Sequence, residues 1–364
     1  MAGYAKPAVA ARAFGLVAAI CFSVFSFVTV LAVGEVRAEP IRGAGSTFAA
    51  PVIARWARAY SEARADGGDF VSPDWTVDYE LVGSLAGLMR LEQPELDFAA
   101  SDVPVEPEEL ARRGHQQFPF VLGGIAVVVN LDGVRVGELR LPGPVLADIY
   151  LGRVTTWKDP GIAAANPGLG LPDLPITVVY RKDGSGSTFA FTEYLSAVSP
   201  EWRERLGADT LIAWPAGKGA EGTQDLIRSV QATKGAIAYA EFGQVARTSM
   251  PFASIENASG RFVAPGHEGF QAAIDSVDWS QTRDFYAALT NRTGENAYPI
   301  TAATFAIVPV ARRSAGRYGR VHDFFRLAFD KGGEDARALG YVPLPAPLVE
   351  RIKQYWVEEL RTRS

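Results

Sequence analysis

A six-residue segment occurs twice in this chain, and no other feature of the sequence constrains the fold as strongly. Residues 43–48 read GAGSTF and residues 184–189 read GSGSTF, so five of the six residues agree. Apolar residues at helical spacing follow each copy, such as Phe191, Tyr194 and Leu195 after the second. Because each half of the chain carries one copy, the repeat predicts two similarly built halves, each with a glycine-rich turn that opens a helix.

The chemistry of the repeated turn points to an anion. A glycine-rich turn at the beginning of a helix exposes free backbone N–H groups and the positive end of the helix dipole. Serine and threonine hydroxyls add further hydrogen-bond donors. The two copies therefore predict a pair of anion-binding turns, although ordinary helix capping by serine or threonine explains the same residues and remains open.

Two more turns have the same character as the repeated segment. Gly83 and Ser84 precede a helical pattern, and Asp102 follows a short apolar stretch. Arg181 ends an apolar run just before the second copy, and Asp183 stands two residues later. The sequence thus predicts four donor-rich turns, one arginine and one buried carboxylate. Taken alone, Arg181 is also explained as a surface residue, and Asp102 as a helix cap.

Strand and helix patterns alternate along the chain. Short apolar runs at 124–130, 176–180 and 305–310 are typical of buried strands. Apolar residues at helical spacing occupy 52–60, 191–198 and 348–356 between and after them. This alternation predicts an α/β fold with largely parallel sheets.

Composition narrows the possible functions. The 364 residues suffice for about two domains, and the net charge of −5 argues against nucleic-acid binding, so an anion would need a local site. One cysteine and three separated histidines exclude an intramolecular disulfide and argue against a metal site, so no cofactor is predicted. The turn at 184–188 lacks the lysine of a nucleotide P-loop, and no G-x-S-x-G elbow is present.

The N-terminus has the layout of an export signal. Basic residues precede an uncharged run over 13–33, and Ala38 stands before a polar segment. This order predicts a secretory signal, residues 1–38, that is cleaved after Ala38 and places the protein in the periplasm or outside the cell. The run is also long enough to span a bilayer, so an uncleaved anchor remains an alternative, and Cys21 leaves a lipoprotein open.

Motifs over residues 41–357 resemble those of one known family. They include GAGSTFAAPV (43–52), VGS (82–84), DFAASDVP (97–104), FPFVLGGIAVVVN (118–130), RKDGSGSTFAFTEYL (181–195), KGAIAYAEF (234–242) and PITAATFAIV (299–308). Together they resemble the periplasmic phosphate-binding proteins of high-affinity, Pst-type phosphate ABC transporters. Several of these motifs are long and specific, so a chance agreement is not expected.

The resemblance implies an α/β type II periplasmic binding protein fold, in which two lobes are joined by a hinge and hold the ligand in the cleft. Residues 39–121 would form the first part of lobe I, residues 122–300 lobe II, and residues 301–364 the second part of lobe I. The chain would pass between the lobes at 118–124 and again at 299–308.

The resemblance also implies a function and a ligand set. The chain would bind inorganic phosphate in the periplasm and deliver it to the permease and ATPase subunits of the transporter, without acting as an enzyme. The phosphate ligands would be Thr47, Phe48, Ser84, Asp102, Arg181, Ser185, Gly186 and Ser187. Thr47 would bind through its hydroxyl and N–H, and Phe48 through its N–H, while Asp183 would orient Arg181. A secreted phosphatase or phosphoesterase, or a phosphate sensor, on the same scaffold is the alternative.

Asp102 and Leu85 bear on selectivity and affinity. A carboxylate beside an anion is repulsive unless the anion supplies a proton, which phosphate can do and sulfate at neutral pH cannot. Sites of this kind reject the analogue that lacks the hydrogen bond by about 10⁴–10⁵. Leu85 stands where the family usually has a small residue, which predicts either a narrower cleft or a change in which backbone N–H groups reach the ligand. Ser187 in place of threonine and Ala100 in place of glycine are milder departures.

Overall fold

The computed structural model describes residues 1–3, 40–65, 76–310 and 315–362. The predicted signal segment, including Cys21, therefore lies outside the described residues apart from residues 1–3. Residues Pro40–Ser364 form one compact unit, and the fold below is that of this unit. Among the described residues, no helix is long and apolar enough to cross a membrane.

Strands of the described residues form two sheets. They are β1 (Ile41–Gly45), β2 (Val77–Leu81), β3 (Phe98–Ser101), β4 (His115–Val129), β5 (Arg140–Leu141), β6 (Thr177–Arg181), β7 (Lys218–Ala220), β8 (Ala236–Glu241), β9 (Ser254–Glu256), β10 (Phe262–Val263) and β11 (Thr301–Pro309). The three apolar runs predicted to be strands overlap β4, β6 and β11. Strand β4 begins well before the run that predicts it, because its first half is also buried.

Helices lie between the strands and after the last of them. They are α1 (Ala50–Ala65), α2 (Ser84–Arg90), α3 (Pro107–Arg113), α4 (Gly143–Tyr150), α5 (Pro160–Ala165), α6 (Gly186–Val198), α7 (Pro200–Arg205), α8 (Gly222–Gln231), α9 (Phe242–Val245), α10 (His267–Asp275), α11 (Ala315–Lys331), α12 (Gly333–Ala338) and α13 (Ala346–Thr362). The three predicted helical patterns fall on α1, α6 and α13.

The larger sheet has eight strands in the order β2-β1-β3-β11-β4-β8-β6-β7, and the smaller has three, β10-β9-β5. At one end of the larger sheet β1 is parallel to β2 and β3, and at the other β6 is parallel to β7 and β8. In the centre β11 and β4 pair antiparallel with their neighbours. The sheet is thus parallel within each half and antiparallel where the halves join.

Strand β4 belongs to both halves of the sheet. Its residues from His115 to Gly124 pair with β11, and those from Ile125 to Val129 pair with β8. One continuous strand therefore links the part of the sheet that contains β1–β3 to the part that contains β6–β8. The change of partner lies at the end of the first predicted crossing, 118–124, while the lobe boundaries themselves stay predictions.

The two copies of the repeat are built differently. In the first copy, residues 43–45 end β1, and α1 begins only at Ala50, after the copy. In the second copy, β6 has already ended, and α6 begins inside the copy at Gly186. The Ser185 hydroxyl accepts a hydrogen bond from the N–H of Thr188 at 3.4 Å and so caps α6. A helix thus follows the first copy as predicted, but only the second copy forms the first turn of its helix.

Helix α1 packs on the C-terminal helices. The predicted apolar face is buried, with Trp56 and Tyr60 each only 2% exposed. Trp56 Nε1 donates to the carbonyl of Gly332 at 3.0 Å, and the Tyr60 hydroxyl donates to Asp323 at 3.1 Å. These contacts join the C-terminal segment to the half that contains β1, and they fix the helix that follows the first repeated turn.

Candidate anion-binding cleft

The candidate ligand residues stand where strands end and helices begin. Thr47 follows β1, Ser84 is the first residue of α2, and Asp102 follows β3. Arg181 is the last residue of β6, and residues 185–187 form the N-cap and first turn of α6. Because the carboxyl ends of parallel strands open onto one edge of a sheet, the two halves present these residues to a common cleft.

Asp102 is a buried carboxylate that three hydroxyl groups surround. Ser46 Oγ donates to its two oxygens at 2.7 and 2.9 Å, Thr304 Oγ1 donates at 2.7 Å, and Ser84 Oγ donates at 3.3 Å. Burial, which disfavours the charged form, together with the negative charge of Glu241, raises the pKa of Asp102 to about 6 despite these donors. Asp102 can therefore accept a proton or a hydrogen bond from a protonated ligand.

Gly186 brings the first turn of α6 directly against the other half. A Cβ atom built on Gly186 would lie 2.5 Å from Oδ2 of Asp102 and 2.5 Å from Oγ of Ser84. No side chain fits in that space, so glycine is required by the close approach. The structure thus brings together three of the predicted ligand residues, two from one half and one from the other.

Arg181 is the buried cation of the cleft, with 2% of its surface exposed. Its Nε donates to Oδ1 of Asp183 at 2.7 Å, and its Nη2 donates to Oδ2 of the same carboxylate. Burial alone would lower the pKa of Arg181, but these hydrogen bonds and the negative charge of Glu241 raise it. The predicted contact between Asp183 and Arg181 is therefore present, and it holds the guanidinium in one orientation.

Thr47 meets Arg181 and Thr223 across the cleft. Arg181 Nη1 donates to Oγ1 of Thr47 at 3.3 Å and to Oγ1 of Thr223 at 3.1 Å, and the two threonine oxygens lie 3.3 Å apart. Gln244 Nε2 also donates to the carbonyl of Thr47 at 3.3 Å. The turn of the first repeat copy is thereby tied to three side chains of the opposite half.

The predicted serine ligands of α6 already have protein partners. The N–H of Ser185 donates to the carbonyl of Thr210 at 2.9 Å, so only the hydroxyl proton of Ser185 is left for a ligand. Ser187 Oγ donates to Oε1 of Glu241 at 3.0 Å. At this helix end, the N–H groups of Gly186 and Ser187 belong to the first turn, whose N–H groups have no partner within the helix.

The ring of Phe48 packs inside the protein, so Phe48 can contribute to the cleft only through its backbone. Its ring is 1% exposed and packs edge-on against Tyr341 with 5.4 Å between the ring centroids. The Tyr341 hydroxyl donates to the carbonyl of Phe48 at 2.6 Å, and the Tyr79 hydroxyl donates to the carbonyl of Ser46 at 2.8 Å. Two tyrosines therefore fix the peptide unit before Thr47 and the peptide unit after Phe48.

Known proteins are similar to this chain over most of its length. A family model described as a PBP superfamily domain matches residues 32–324. The phosphate-binding protein PstS of Xylella fastidiosa (strain Temecula1) is 40% identical over 327 residues, which cover 90% of this chain and 87% of that protein. The chain belongs to the PstS family. PstS of Pasteurella multocida (strain Pm70) is 38% identical over 344 residues, with 94% of this chain and 95% of that protein covered.

Solved structures show the fold of this PstS family member. The high-affinity periplasmic phosphate-binding protein PfluDING aligns with a TM-score of 0.64 at 21% identity, covering 87% of this chain and 93% of that chain. A phosphate-binding protein from Stenotrophomonas maltophilia aligns with a TM-score of 0.64 at 17% identity, covering 87% and 94%. The fold is the α/β type II periplasmic binding protein fold with two lobes and a ligand cleft, as predicted.

Four residues of the cleft are not found by reading the sequence: Ser46, Thr223, Glu241 and Thr304. Ser46 lies inside the repeated segment, so its position carries a signal. Glu241 is a lone acidic residue after an apolar run, and this is a weaker signal. The two threonines carry none. Among the described residues, no group of three or more histidine, cysteine, aspartate or glutamate side chains could hold a metal ion.

Leu85 lies where α2 contacts the segment that leads into α6. A Cβ atom built on Gly184 would lie 2.7 Å from the Cβ of Leu85. One built on Gly83 would lie 2.5 Å from the carbonyl oxygen of Gly184. Leu85 therefore packs on the glycine backbone that leads into α6. It adds an apolar contact between the two halves of the chain, directly after Ser84 in the sequence.

Proposed function

We propose that this PstS family member binds inorganic phosphate in the periplasm and delivers it to the permease and ATPase of a phosphate ABC transporter. Its relatives carry the name of phosphate-binding proteins, and nothing among them favours the phosphatase, phosphoesterase or sensor alternatives. The protein acts by binding and release, without catalysis. Residues 1–38 direct export and are removed after Ala38, and residues 39–121, 122–300 and 301–364 form the lobes as given above.

One observation carries the proposal: hydrogen-bond donors and a proton acceptor face the same cleft. The donors are the guanidinium of Arg181, the hydroxyl of Thr47 and the first turn of α6. The acceptor is Asp102, which Gly186 of that turn approaches closely. An anion that still carries a proton satisfies both kinds of group at once, and inorganic phosphate at neutral pH is such an anion.

We assign each of the predicted ligand residues a role in binding phosphate. The donors are the Thr47 hydroxyl and N–H, the N–H groups of Phe48, Gly186 and Ser187, the hydroxyls of Ser84 and Ser185, and the guanidinium of Arg181. Asp102 accepts the proton of the ligand, and Asp183 keeps the guanidinium in place. Ser84 has a single proton, so it turns from Asp102 to the ligand when the ligand binds.

The number of donors is sufficient for tight binding. Each hydrogen bond that involves a charged group contributes about 1.5–3 kcal/mol, and a helix N-terminus adds about 0.3–1 kcal/mol. Association and ordering cost about 4–15 kcal/mol. Because Arg181 is paired with Asp183, backbone dipoles and hydroxyls provide much of the stabilisation of the dianion.

Titration calorimetry tests the proposal. Protein expressed from the full chain and purified is titrated with phosphate, arsenate, sulfate and methylphosphonate. Phosphate is expected to bind with micromolar or tighter affinity, and sulfate is expected to give little or no heat. Sulfate binding without phosphate binding would contradict the proposal. Turnover of p-nitrophenyl phosphate by the pure protein would contradict the absence of catalysis.

A further inference from the structure

Glu241 is a second buried carboxylate beside the cleft, and none of the ligand roles proposed above uses it. It ends β8 and is 1% exposed. Its Oε1 accepts from Ser187 Oγ and from Thr223 Oγ1, both at 3.0 Å, and its Oε2 accepts from Gln244 Nε2 at 3.4 Å. Among the described ion pairs, none includes Glu241, so its charge is held by neutral donors.

The contacts of Glu241 determine where hydroxyl protons point. A carboxylate has no proton to give, so Ser187 and Thr223 must donate to Glu241. Each hydroxyl has a single proton, so both oxygens then offer only lone pairs in other directions. Thr223 uses its lone pairs to accept from Arg181. Thr47, 3.3 Å away, is therefore the donor of their shared hydrogen bond, and like Ser84 it turns its single proton to the ligand when the ligand binds.

The charges around the cleft are unbalanced. Arg181 is paired with Asp183, and the cleft contains two further carboxylates, Asp102 and Glu241, both buried. The negative charge of Glu241 acts to raise the pKa of Asp102, of Arg181 and of Tyr341. An anion that enters therefore meets more negative than positive side chains, and each proton that it brings lowers the repulsion.

We infer that Glu241 is a specificity-determining residue, which turns the hydroxyls of Ser187 and Thr223 into acceptors and, with Asp102, makes the cleft select oxyanions that carry protons. This inference rests on the proposed function. Asp102 accepts a hydrogen bond from one P–OH group, and Ser187 Oγ can accept from a second. The more protonated form of phosphate therefore fits better than the dianion. A sulfate dianion leaves both acceptors facing an unprotonated oxygen.

Glu241→Gln removes the charge and keeps an oxygen that can accept from Ser187 or Thr223. Titration calorimetry measures phosphate and sulfate affinity of the purified protein on both sides of the second ionisation of phosphate. The ratio of sulfate affinity to phosphate affinity is expected to be about tenfold higher in the variant than in the unsubstituted protein. Its phosphate affinity should also fall less steeply as pH rises, because one of the two buried charges is gone.

The matched control is Glu256→Gln, which removes a carboxylate of strand β9 in the same half of the chain. It is expected to leave both anion affinities and their pH dependence unchanged. A Glu241→Gln protein with unchanged selectivity and an unchanged pH profile would overturn the inference. So would an equal loss of affinity for both anions, which indicates a structural role only.

A measurement on the unsubstituted protein keeps the inference testable if the variant does not fold. Phosphate binding is measured above the second ionisation of phosphate in buffers of different ionisation enthalpy. A net uptake of protons on binding is expected, because the cleft favours the protonated ligand; no uptake would overturn the inference. A protein that binds no phosphate at all contradicts the proposed function instead, so the two failures are distinct.

Discussion

Gly186 and Asp102 approach each other so closely across the cleft that a Cβ atom on Gly186 would lie 2.5 Å from Oδ2 of Asp102. Gly186 belongs to the first turn of α6, and Asp102 follows β3 in the other half of the chain. The two halves therefore meet at the backbone of a glycine. This contact lets the N–H groups of a helix end and a buried proton acceptor face the same ligand.

Gly186→Ala is expected to weaken phosphate binding because the added methyl group holds the two lobes apart. Overpacking of this kind costs about 1–3 kcal/mol, which corresponds to roughly a five- to hundredfold loss of affinity. The thermal stability of the ligand-free protein should change little, since alanine is favourable in a helix. Titration calorimetry and thermal unfolding measure the two effects separately.

Gly170→Ala is the matched control for that variant. A Cβ atom on Gly170 meets no other atom within 4 Å, so phosphate affinity should stay unchanged. If Gly186→Ala bound phosphate as tightly as the unsubstituted protein, the close approach of α6 to Asp102 would not be part of the binding-competent form.

Leu85→Ala is expected to lower phosphate affinity about three- to tenfold, because it removes apolar contact area that Leu85 makes with Gly184 of the other lobe. The loss should appear mainly as faster release of phosphate, since the contact stabilises the closed form. Stopped-flow release measurements test this. Met89→Ala, at an exposed position of the same helix, serves as the control, and equal release rates for the two variants would contradict the assigned contact.

Most of the candidate site can be read from the sequence because its residues stand at the ends of recognisable elements. Asp102 and Arg181 each follow or end an apolar run, and the repeated segment marks the turn that contains Gly186. Thr223 and Thr304 cannot be found in this way. They reach the cleft only because α8 and β11 are placed there by the order of strands in the sheet.

The centre of the sheet shows a second limit of the sequence. The apolar runs in β4 and β11 predict buried strands, and both are buried. A run that is apolar on both faces does not reveal whether its neighbours are parallel or antiparallel. The expectation of largely parallel sheets therefore describes each half correctly, but β11 and β4 run antiparallel where the lobes join.

Arg181→Ala is expected to weaken phosphate binding by roughly ten- to a hundredfold, the effect of a lost hydrogen bond to a charged group of about 1.5–3 kcal/mol. Arg181→Lys should recover little of this loss, because an ammonium cannot contact Asp183 and the ligand with the same fixed geometry. Calorimetry measures both variants. Arg135→Ala removes an exposed arginine that pairs with Glu138 and should bind phosphate normally; similar behaviour of the Arg135 and Arg181 variants would mean that the cation of the cleft is misassigned.

Export tests the assignment of residues 1–38. Expression of the full chain in a Gram-negative host is expected to give a periplasmic protein whose first residue is Glu39. N-terminal sequencing or intact-mass measurement of the periplasmic fraction checks this. Recovery of the full-length chain in the membrane fraction would favour the uncleaved anchor, and a chain that begins at a lipid-modified Cys21 would favour the lipoprotein.

Asp102 makes the stability of the ligand-free protein depend on pH. Burial raises its pKa to about 6, whereas an unperturbed aspartate has a pKa of about 3.9. The folded protein therefore holds this proton more tightly than the unfolded chain does. The stability that the proton contributes is fully present below about pH 4 and is lost as pH rises through about 6, a change of up to about 3 kcal/mol.

Asp102→Asn removes this titration and keeps an oxygen that can accept from Ser46 or Thr304. Urea unfolding measures the free energy of unfolding of both proteins. The value for the variant should rise relative to that of the unsubstituted protein as pH rises from about 4 to about 7. Asp173→Asn, at an exposed position, should show no such gain. The variant should also discriminate less against sulfate, because an amide can donate where the carboxylate only accepts. A constant difference in unfolding free energy across this pH range would show that Asp102 is not the group that titrates.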